Sequence, residues 1–514
     1  MTDAPGRRAA EDAEFARPGG ALARLFEERP ALFLMLLIFG QMLLWTALPA
    51  LFFHSLPLDV LENVGWSRDL QWGYYKHPPL QVWASAAALA LPGHAIWPLY
   101  LLGPIASALT FVAIYKLGCE IADRHAGLLA ALLFSLVFYA NFAVTEFNAN
   151  VVQLPIWAFA AYALWRGLTR PGLIAWAALG ILLALGVYAK YSSIVLVASL
   201  IVAALVLPEG RQALRRPGPY LGALIALALA LPNLLWLRDV DYLPLRYAAG
   251  RSEALTLLGR ISNPAGFLLT QLADCAGALL MIWAGLGLRH WRSNGEGVDF
   301  AASPTGLRYG LAIALAPLAI TAAIPLLAGS GIKDMWGGPM LIWLPLATVL
   351  TLKPVYERRR LSWMLAAWLA IFVGAPVIAA AISAGGPHVG IQPQRTSLPG
   401  PELADGLMAA WRSTTPAPLR IVAGDTWESG LVSAYSPDRP SVFVGGATLL
   451  NPWIDGARID REGLLVVWPE SPNGMPAQYR TLGPFAAEGV VTERVPGTSG
   501  KELRFGWAAR LPRP

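Results

Sequence analysis

The chain has 514 residues, of which 56% are hydrophobic and only 14% are charged, and its formal net charge is +6. Its mean hydropathy is +0.50. Because soluble domains carry roughly 25% charged residues, this composition excludes a soluble globular protein and indicates a polytopic membrane protein. The basic excess does not indicate a nucleic-acid partner, because the arginines cluster in short segments between apolar runs.

The N-terminal segment is polar and Arg-rich over its first 30 residues and then enters an apolar run long enough to cross a bilayer. A cleavable signal peptide has a shorter apolar core and a small-residue cleavage site. We therefore expect a cytoplasmic tail over 1–30, disordered over 1–20, followed by an uncleaved first helix. Cys119 and Cys275 fall at or inside apolar segments, which argues against a disulfide framework or a zinc site.

Apolar runs of about 20 residues, the length that spans a bilayer as a helix, recur over 31–384. They predict an all-α membrane domain with about eleven transmembrane helices, and up to thirteen. The eleven predicted spans are 31–53, 97–118, 126–144, 148–166, 171–188, 190–207, 218–237, 264–288, 308–328, 336–352 and 362–384. A further apolar run near 82–92 is about half a span, and we expect a helix over 80–93 to lie at the outer surface.

The distribution of Lys and Arg sets the predicted orientation, because cytoplasmic loops carry an excess of both. If the N-terminus is cytoplasmic and the helix over 80–93 does not cross the membrane, the basic loops all fall on the cytoplasmic side. The C-terminus then lies outside. The residues that support this orientation are Arg7, Arg8, Arg17, Arg24, Arg29, Lys116, Arg124, Arg166, Arg170, Arg211, Arg215, Arg216, Arg289, Arg292, Arg308, Lys353, Arg358, Arg359 and Arg360.

The outer loops of this arrangement collect polar and ionisable side chains from distant parts of the chain. Such convergence on one side of a membrane is typical of a binding or catalytic site. The residues are Asp59, Glu62, Lys76, His77, Glu146, Asn148, Lys190, Tyr191, Arg238, Asp239, Asp241, Arg246, Arg251, Lys333 and Asp334.

The composition changes after residue 384, where continuous apolar runs give way to Pro, Gly, Asp and Arg. The short apolar segments Leu419–Ala423, Ser441–Val444 and Leu464–Trp468 predict buried strands. Glu428–Tyr435 lies between the first two and is compatible with a helix. The pattern predicts a small α/β domain over 385–514, on the periplasmic side, that begins with a β-α-β unit.

The most informative polar stretch is Leu58–Leu80, LDVLENVGWSRDLQWGYYKHPPL, within a predicted active-site loop over 54–80. It combines carboxylates, aromatic rings, Lys76 and His77, and it ends in a Pro-Pro pair that stops a helix and directs the next one. Charged groups in hydrocarbon cost several kcal/mol each, so this stretch is expected at a membrane surface.

At Gly73–Leu80, GYYKHPPL, the sequence resembles the C-type superfamily of multi-pass lipid-linked-sugar glycosyltransferases, which contains protein O-mannosyltransferases and the aminoarabinose transferases of lipid A. The superfamily pattern places an acidic residue early in the first outer loop, ahead of the Tyr-x-x-His/Lys-Pro-Pro-Leu run. Asp59 matches that residue. Relatives often have an adjacent Asp-Glu pair, whereas this chain has Val60 next and Glu62 beyond it. The resemblance covers roughly residues 30–350.

Three further segments resemble the superfamily less specifically. They are the Lys190-Tyr191 pair at the end of a mid-chain span, the Lys333-Asp334-Met335-Trp336 loop before a late helix, and the Asn148-Ala149-Asn150 turn. At this last place relatives frequently have an Asp.

The resemblance implies a polyprenyl-phosphate sugar donor and an inverting single displacement, for which the acceptor hydroxyl needs a carboxylate to take its proton. Asp59 is the candidate base or acceptor-orienting group, although a carboxylate at this place also fits a plain helix cap. Glu62 lies one turn later on the same helical face and is the second catalytic candidate, with a surface capping role as the alternative.

The leaving phosphate gains negative charge during the reaction, so cations are expected around it. Lys190 has no charged partner nearby in the sequence, which favours a site role. The other candidates have structural alternatives. Lys76 could reach toward lipid headgroups, and Lys333 could pair with Asp334. Arg246 and Arg251 could lie in a solvated loop, and the tyrosines could belong to the interfacial aromatic belt. The substrate-binding candidates are Tyr74, Tyr75, Lys76, His77, Asn148, Lys190, Tyr191, Arg246, Lys333 and Asp334.

No cofactor is expected, because no His, Asp or Glu cluster has metal-ligand spacing, although Asp59 and Glu62 could weakly share a divalent ion. The expected partners are the lipid-linked donor, the bilayer, and a glycolipid, glycan or protein acceptor. The competing interpretations are a lipid transporter or flippase without chemistry, and a ligase or polymerase of whole lipid-linked glycans. Transporters tend to show repeats and mid-membrane charges, which are not evident here, so the enzyme is favoured.

Overall fold

A computed structural model describes residues 20–92, 95–286, 302–352 and 358–513. Predictions that concern Arg7, Arg8, Arg17, Arg289, Arg292 and Lys353 lie outside the described residues. The helices of the first 385 residues are α1 Gly20–Glu28, α2 Pro30–Phe52, α3 Leu58–Trp66, α4 Leu80–Leu89, α5 Trp97–Ile121, α6 Arg124–Phe134, α7 Gln153–Thr169, α8 Ile174–Ala189, α9 Ser193–Val206, α10 Pro208–Ala213, α11 Pro217–Asp239, α12 Leu243–Gly250, α13 Gly259–Asp274, α14 Ala276–Leu286, α15 Pro304–Ala328, α16 Leu344–Leu352 and α17 Arg358–Gly385.

Five of the described helices are long and apolar enough to cross a membrane, and the number rises to eight if each of three bent pairs forms one span. The five correspond to α2, α5, α11, α15 and α17. Helices also occur where the other predicted spans lie, but α8 and α9 have only 16 and 14 residues. The protein is therefore a mostly helical multi-pass membrane protein, and the count of eleven spans stays a prediction. Helix α4, with ten residues, is too short to cross.

The predicted span 126–144 is not one straight helix. Helix α6 ends at Phe134, and short 3₁₀ turns follow at an angle of 87°. Buried side-chain amides donate hydrogen bonds to backbone carbonyls at this break. Asn141 Nδ2 donates to Ser135 O, and Gln41 Nε2 donates to Ala140 O. Non-helical backbone at this depth is tolerated when it is buried in protein. Counting apolar residues predicted the length of this segment and missed the bend.

The C-terminal segment contains a mixed five-stranded sheet with the strand order β2-β1-β3-β5-β4. The first three strands are parallel, whereas β5 runs antiparallel to β3 and β4. Its elements are α18 Gly400–Thr414, β1 Ile421–Gly424, α19 Thr426–Tyr435, β2 Ser441–Val444, α20 Gly456–Glu462, β3 Leu464–Pro469, α21 Ala477–Arg480, β4 Ala487–Arg494 and β5 Glu502–Arg510. The predicted strands β1, β2 and β3 and the helix between β1 and β2 are confirmed.

The C-terminal segment packs directly on α3, the helix that carries Asp59 and Glu62. At Gly430 on α19, an added Cβ would lie 3.0 Å from the Leu61 Cβ. Arg458 of α20 pairs with Asp69 just after α3, with 3.0 Å between Nη1 and Oδ1. Helix α3 and the residues just after it therefore pack against residues more than 350 positions away in the chain.

The contact between Gly65 and strand β2 gives a testable result for this packing. A Cβ at Gly65 would lie 2.8 Å from Val442 Cγ2, so we expect Gly65→Val to lower the free energy of unfolding by about 1–3 kcal/mol through overpacking. Thermal unfolding in detergent measures the loss. Gly266→Val is the matched control, because Gly266 is also helical and has open space around its Cβ position. Equal melting temperatures for the two variants would contradict the described packing.

Candidate active site

The Asp59 side chain is positioned by a turn from a distant part of the chain. Helix α3 begins directly after Pro57, so Asp59 lies in its first turn, where the helix dipole favours a carboxylate. Asn148 Nδ2 donates to Asp59 Oδ2 at 2.7 Å. The other end of the Asn148 amide is also engaged, because Asn148 Oδ1 accepts from the amides of Asn150 and Val151. The turn therefore fixes the Asp59 carboxylate through an amide that is itself held in place.

Lys190 reaches the same turn from another helix. It follows the last residue of α8 in an extended conformation, and its Nζ donates to Asn150 Oδ1 at 2.5 Å. Within the described part of the chain, Lys190 has an amide partner but no carboxylate at ion-pair distance. Its positive charge is therefore held close to Asp59 and stays available to an anion.

Lys76 and Glu62 form an ion pair in the first outer loop, with 2.5 Å between Nζ and Oε1. Burial raises the pKa of Glu62 to about 7, and although Lys76 opposes this rise, the nearby Asp59 carboxylate adds to it. Burial alone would lower the pKa of Lys76, but the attraction of Glu62 outweighs it and the pKa is raised. The ammonium therefore stays charged, while the Glu62 carboxyl titrates near neutral pH.

His77 lies among three cationic side chains. Burial, together with the charges of Lys190, Lys76 and Arg251, lowers the pKa of His77 to about 3. The imidazole is therefore neutral at physiological pH, with one nitrogen able to donate and the other able to accept a hydrogen bond. Three cations converging around a neutral ring form an environment that favours an anionic ligand.

These groups line a single cavity of about 500 Å³. Its wall comes from α3, the end of the first outer loop, the 148–150 turn, the 190–192 junction, the region of α12, and the loop after α15. The lining residues are Leu58, Asp59, Glu62, Lys76, His77, Pro78, Asn148, Ala149, Asn150, Lys190, Tyr191, Ser192, Pro244, Leu245, Tyr247, Ala248, Arg251, Lys333, Met335 and Trp336. Six chain segments therefore bring charged and apolar side chains together around one cavity.

The structure thus gathers both catalytic candidates and most of the binding candidates into one space. The candidates among the lining residues are Asp59, Glu62, Lys76, His77, Asn148, Lys190, Tyr191 and Lys333. Their chemical roles stay predictions. Lys333 pairs with Glu253, at 3.8 Å between Nζ and Oε1, rather than with its neighbour Asp334.

Four binding candidates lie outside the lining. Tyr74 is fully buried and stacks on Trp66 with the ring centroids 4.7 Å apart, so it forms the core of the loop. Tyr75 is also buried and packs its ring edge against Tyr247. Arg246 is exposed and pairs with Asp241. Asp334 presents its backbone carbonyl to Tyr139 and Gln271.

Tyr247 and Glu146 were not among the predicted catalytic or substrate-binding residues. Tyr247 lines the cavity, accepts a hydrogen bond from Arg251 at 3.2 Å, and has Lys76 Nζ 6.0 Å from its ring centroid. Glu146 accepts from the backbone of α3. Glu146 stood among the polar residues of a predicted outer turn, and Tyr247 directly follows the binding candidate Arg246, so the position of each residue was a signal.

Comparison with known proteins adds independent information. Residues 76–236 match the family model described as dolichyl-phosphate-mannose-protein mannosyltransferase. The chain is 26% identical over 487 residues to the lipopolysaccharide core galacturonosyltransferase RgtB of Rhizobium johnstonii, covering 88% of this chain and 92% of that protein. It is 31% identical over 197 residues to the lipid A galacturonosyltransferase RgtD of the same organism, covering 37% of this chain and 40% of that protein.

Among solved structures, ArnT from Cupriavidus metallidurans bound to undecaprenyl phosphate matches 93% of this chain and 98% of its own, with a TM-score of 0.56 and 14% identity. At this identity the likeness concerns the fold. The family model and the galacturonosyltransferase relatives agree with this fold. Together these findings support the C-type superfamily of lipid-linked-sugar glycosyltransferases for this chain.

If the cations of the cavity bind a lipid-linked phosphate, as the superfamily resemblance implies, the Glu62–Lys76 pair gives a pH test of that binding. Above pH 7 the anionic form of Glu62 neutralises Lys76, and below pH 7 Glu62 becomes neutral. We expect Glu62→Gln to bind undecaprenyl phosphate about fivefold more tightly than the native protein at pH 8, since one unit charge at 4 Å is worth about 1 kcal/mol even in water. The advantage should shrink toward pH 6.

The ratio of the two dissociation constants cancels the titration of the phosphate itself, because both proteins bind the same ligand at each pH. Microscale thermophoresis of both detergent-purified proteins across pH 6 to 8 measures this ratio. A ratio that stays constant over this range would show that anionic Glu62 does not offset the positive charge of Lys76 at the binding site.

Among residues 20–92, 95–286, 302–352 and 358–513, no group of three or more His, Cys, Asp or Glu side chains has the arrangement to hold a metal ion. The expectation that no cofactor is needed stays a prediction.

Proposed function

We propose that this glycosyltransferase moves a sugar from a polyprenyl-phosphate donor to an acceptor hydroxyl, with inversion at the anomeric carbon. One observation carries the proposal: Asp59 and the cations Lys76, Lys190, Arg251 and Lys333, from distant parts of the chain, line one cavity that also has an apolar wall. A carboxylate can take a proton, cations can receive developing phosphate charge, and an apolar wall can hold a lipid chain.

The proposed reaction is a single displacement. The acceptor oxygen attacks the anomeric carbon while the bond between that carbon and the phosphate oxygen breaks. The bonding electron pair stays on the phosphate, and the acceptor proton passes to the Asp59 carboxylate. The phosphate changes from a diester to a monoester and gains negative charge, which Lys190, Arg251 and their neighbours are placed to stabilise.

The apolar lining supports a lipid-linked donor rather than a soluble nucleotide sugar. Leu58, Pro78, Leu245, Met335 and Trp336 belong to the same wall as the cations. A polyprenyl chain needs such a surface immediately beside its phosphate, because the lipid begins at the phosphate oxygen. A nucleotide sugar would instead place a second phosphate and a base there.

The relatives favour a uronosyl donor and a glycolipid acceptor. Two of them are named as galacturonosyltransferases of the lipopolysaccharide core or of lipid A. Four cationic side chains line the cavity, and an acidic sugar on a phosphate carries the additional negative charge that suits them. We therefore propose that the donor is a polyprenyl-phosphate uronic acid and the acceptor an envelope glycolipid.

The proposed setting is the bacterial inner membrane, with eleven spans, the N-terminus in the cytoplasm and the cavity at the outer face. In this arrangement 385–514 forms a periplasmic domain. This proposed orientation rests on the distribution of Lys and Arg among the loops. Metal-independent chemistry is part of the proposal, because Asp59 is already oriented by Asn148.

Incubation of the purified protein with labelled polyprenyl-phosphate sugar and a lipid A or core acceptor tests the proposal. The expected result is release of polyprenyl phosphate together with labelled acceptor. Movement of the intact donor across a vesicle membrane without cleavage would instead support a flippase, and transfer of only preassembled glycans would support a ligase.

A further inference from the structure

Helix α3 begins without a cap from its own sequence. The residue before it is Pro57, which contributes no side-chain hydrogen bond to the helix start. The first amides of any helix lack intrahelical acceptors and need partners from elsewhere. At α3 the partner is Glu146, whose Oε1 accepts from the Asp59 amide at 3.2 Å and whose carboxylate also interacts with the Leu58 amide. A residue from a distant turn therefore caps the helix that carries the proposed base.

Three consecutive residues of this turn bind α3. Glu146 accepts from the Asp59 backbone, the Phe147 carbonyl accepts from Asn63 Nδ2 at 2.8 Å, and Asn148 donates to the Asp59 carboxylate at 2.7 Å. The turn thus holds Asp59 by its main chain and by its side chain at the same time. A shift of the 146–148 turn would move the carboxylate, and its oxygen would leave the line of attack on the anomeric carbon.

The two carboxylates also repel each other. Glu146 is held beside Asp59, and the pKa of Glu146 is raised by burial and then by the Asp59 charge. The charged groups that act on this pair are Arg395, which attracts Glu146, and Lys190 and Glu62, which act on Asp59 from its other side.

We propose that Glu146 is a positioning residue of the transfer reaction, which caps α3 from outside and holds the Asp59 carboxylate in its reactive place. The proposal rests on the function proposed above. Glu146 does not line the main cavity, so it acts through Asp59 rather than on the substrate. It lines a separate cavity of about 330 Å³ together with Arg395, and a direct ligand contact there is the competing explanation.

Two substitutions separate the capping oxygen from the charge. Glu146→Gln keeps a side-chain oxygen that can accept from the Asp59 amide and loses the negative charge. Glu146→Ala loses both. Thr145→Ala is the control next to this turn, because the hydroxyl of the partly exposed Thr145 donates to the nearby Phe142 carbonyl and, among the described residues, not to α3.

We expect Glu146→Ala to lower kcat at least tenfold while KM for the donor stays close to the native value, because donor contacts are unchanged. Glu146→Gln should retain most of kcat. Thr145→Ala should behave as the native protein.

Hydrogen exchange of the peptide that contains Leu58 and Asp59 gives a readout that does not depend on activity. Exchange should accelerate in Glu146→Ala and stay near the native rate in Glu146→Gln. Unchanged exchange in Glu146→Ala overturns the positioning role. This result does not depend on the proposed function, which fails separately if the native protein releases no polyprenyl phosphate.

Two kinetic outcomes also overturn the proposal. An increase in KM for the acceptor with unchanged kcat and exchange would assign Glu146 to ligand binding in the second cavity. Equal losses of kcat in both variants would mean that the retained oxygen does not support Asp59.

Discussion

Replacement of Asp59 by Asn should lower the rate of sugar transfer by about 10²–10⁴-fold, the usual contribution of a positioned general base. Asn has nearly the same shape as Asp and keeps an oxygen that can accept from Asn148 Nδ2, so the local geometry should survive. The substitution removes the group that takes the acceptor proton. Release of labelled polyprenyl phosphate measures the rate.

The control for this prediction is Asp239→Asn, which makes the same chemical change at an exposed residue that pairs with Arg238. It should transfer sugar at the native rate. Asp59→Asn should still bind undecaprenyl phosphate, because the cations remain. A rate for Asp59→Asn within a few-fold of native would remove Asp59 from the chemistry.

Replacement of Lys190 or Arg251 by Ala should weaken binding of undecaprenyl phosphate about 10–100-fold, because a hydrogen bond to a charged group is worth about 1.5–3 kcal/mol. Both residues line the cavity, and both contribute to the positive environment around His77. Transfer at low donor concentration should fall by a similar factor. Equilibrium binding of the lipid phosphate in detergent measures the effect directly.

Arg246→Ala is the matched control, since Arg246 lies five residues before Arg251, is exposed, and pairs with Asp241 outside the cavity. Exposed ion pairs contribute little, so its removal should leave binding nearly unchanged. This comparison also tests the sequence-based assignment of Arg246 to substrate binding. Equal losses in Arg246→Ala and Arg251→Ala would favour general attraction of the anion over a defined phosphate site.

The sequence predicted much of the site because an apolar chain can carry charge only where water, protein or a ligand compensates it. Asp59, Lys190 and Lys333 come from separate loops, yet one cavity contains all three. Side-chain orientation within a loop could not be predicted in the same way. Tyr74 stands beside Tyr75 and Lys76 in the motif, but it points into the loop core against Trp66. Aromatic residues suit either place, and only packing decides between them.

The fold was predictable where a buried element leaves a continuous apolar run. Strands β1, β2 and β3 are buried along nearly their whole length and were found. Strand β4 alternates between partly buried and exposed residues and includes Glu488, Glu493 and Arg494, so no apolar run marked it. The bends after α6 and α13 were also hidden, because tertiary contacts rather than composition produce them.

The second carboxylate beside Asp59 illustrates the same limit. Sequence spacing favoured Glu62, one helical turn away, and that side chain does line the cavity. Its oxygen is engaged by Lys76, however, whereas Glu146 contacts the Asp59 backbone from 87 residues away. Spacing within one helix can predict a shared face, but it cannot predict a contact made by a distant turn.

The most direct test of the account is an electron cryomicroscopy structure of the protein with undecaprenyl phosphate bound. We predict density for the phosphate inside the cavity, in contact with Lys190 and Arg251, and with the Asp59 carboxylate facing the side from which an acceptor would approach. A phosphate bound elsewhere, with these three side chains facing an empty cavity, would contradict the central claim that they act together on one lipid-linked donor.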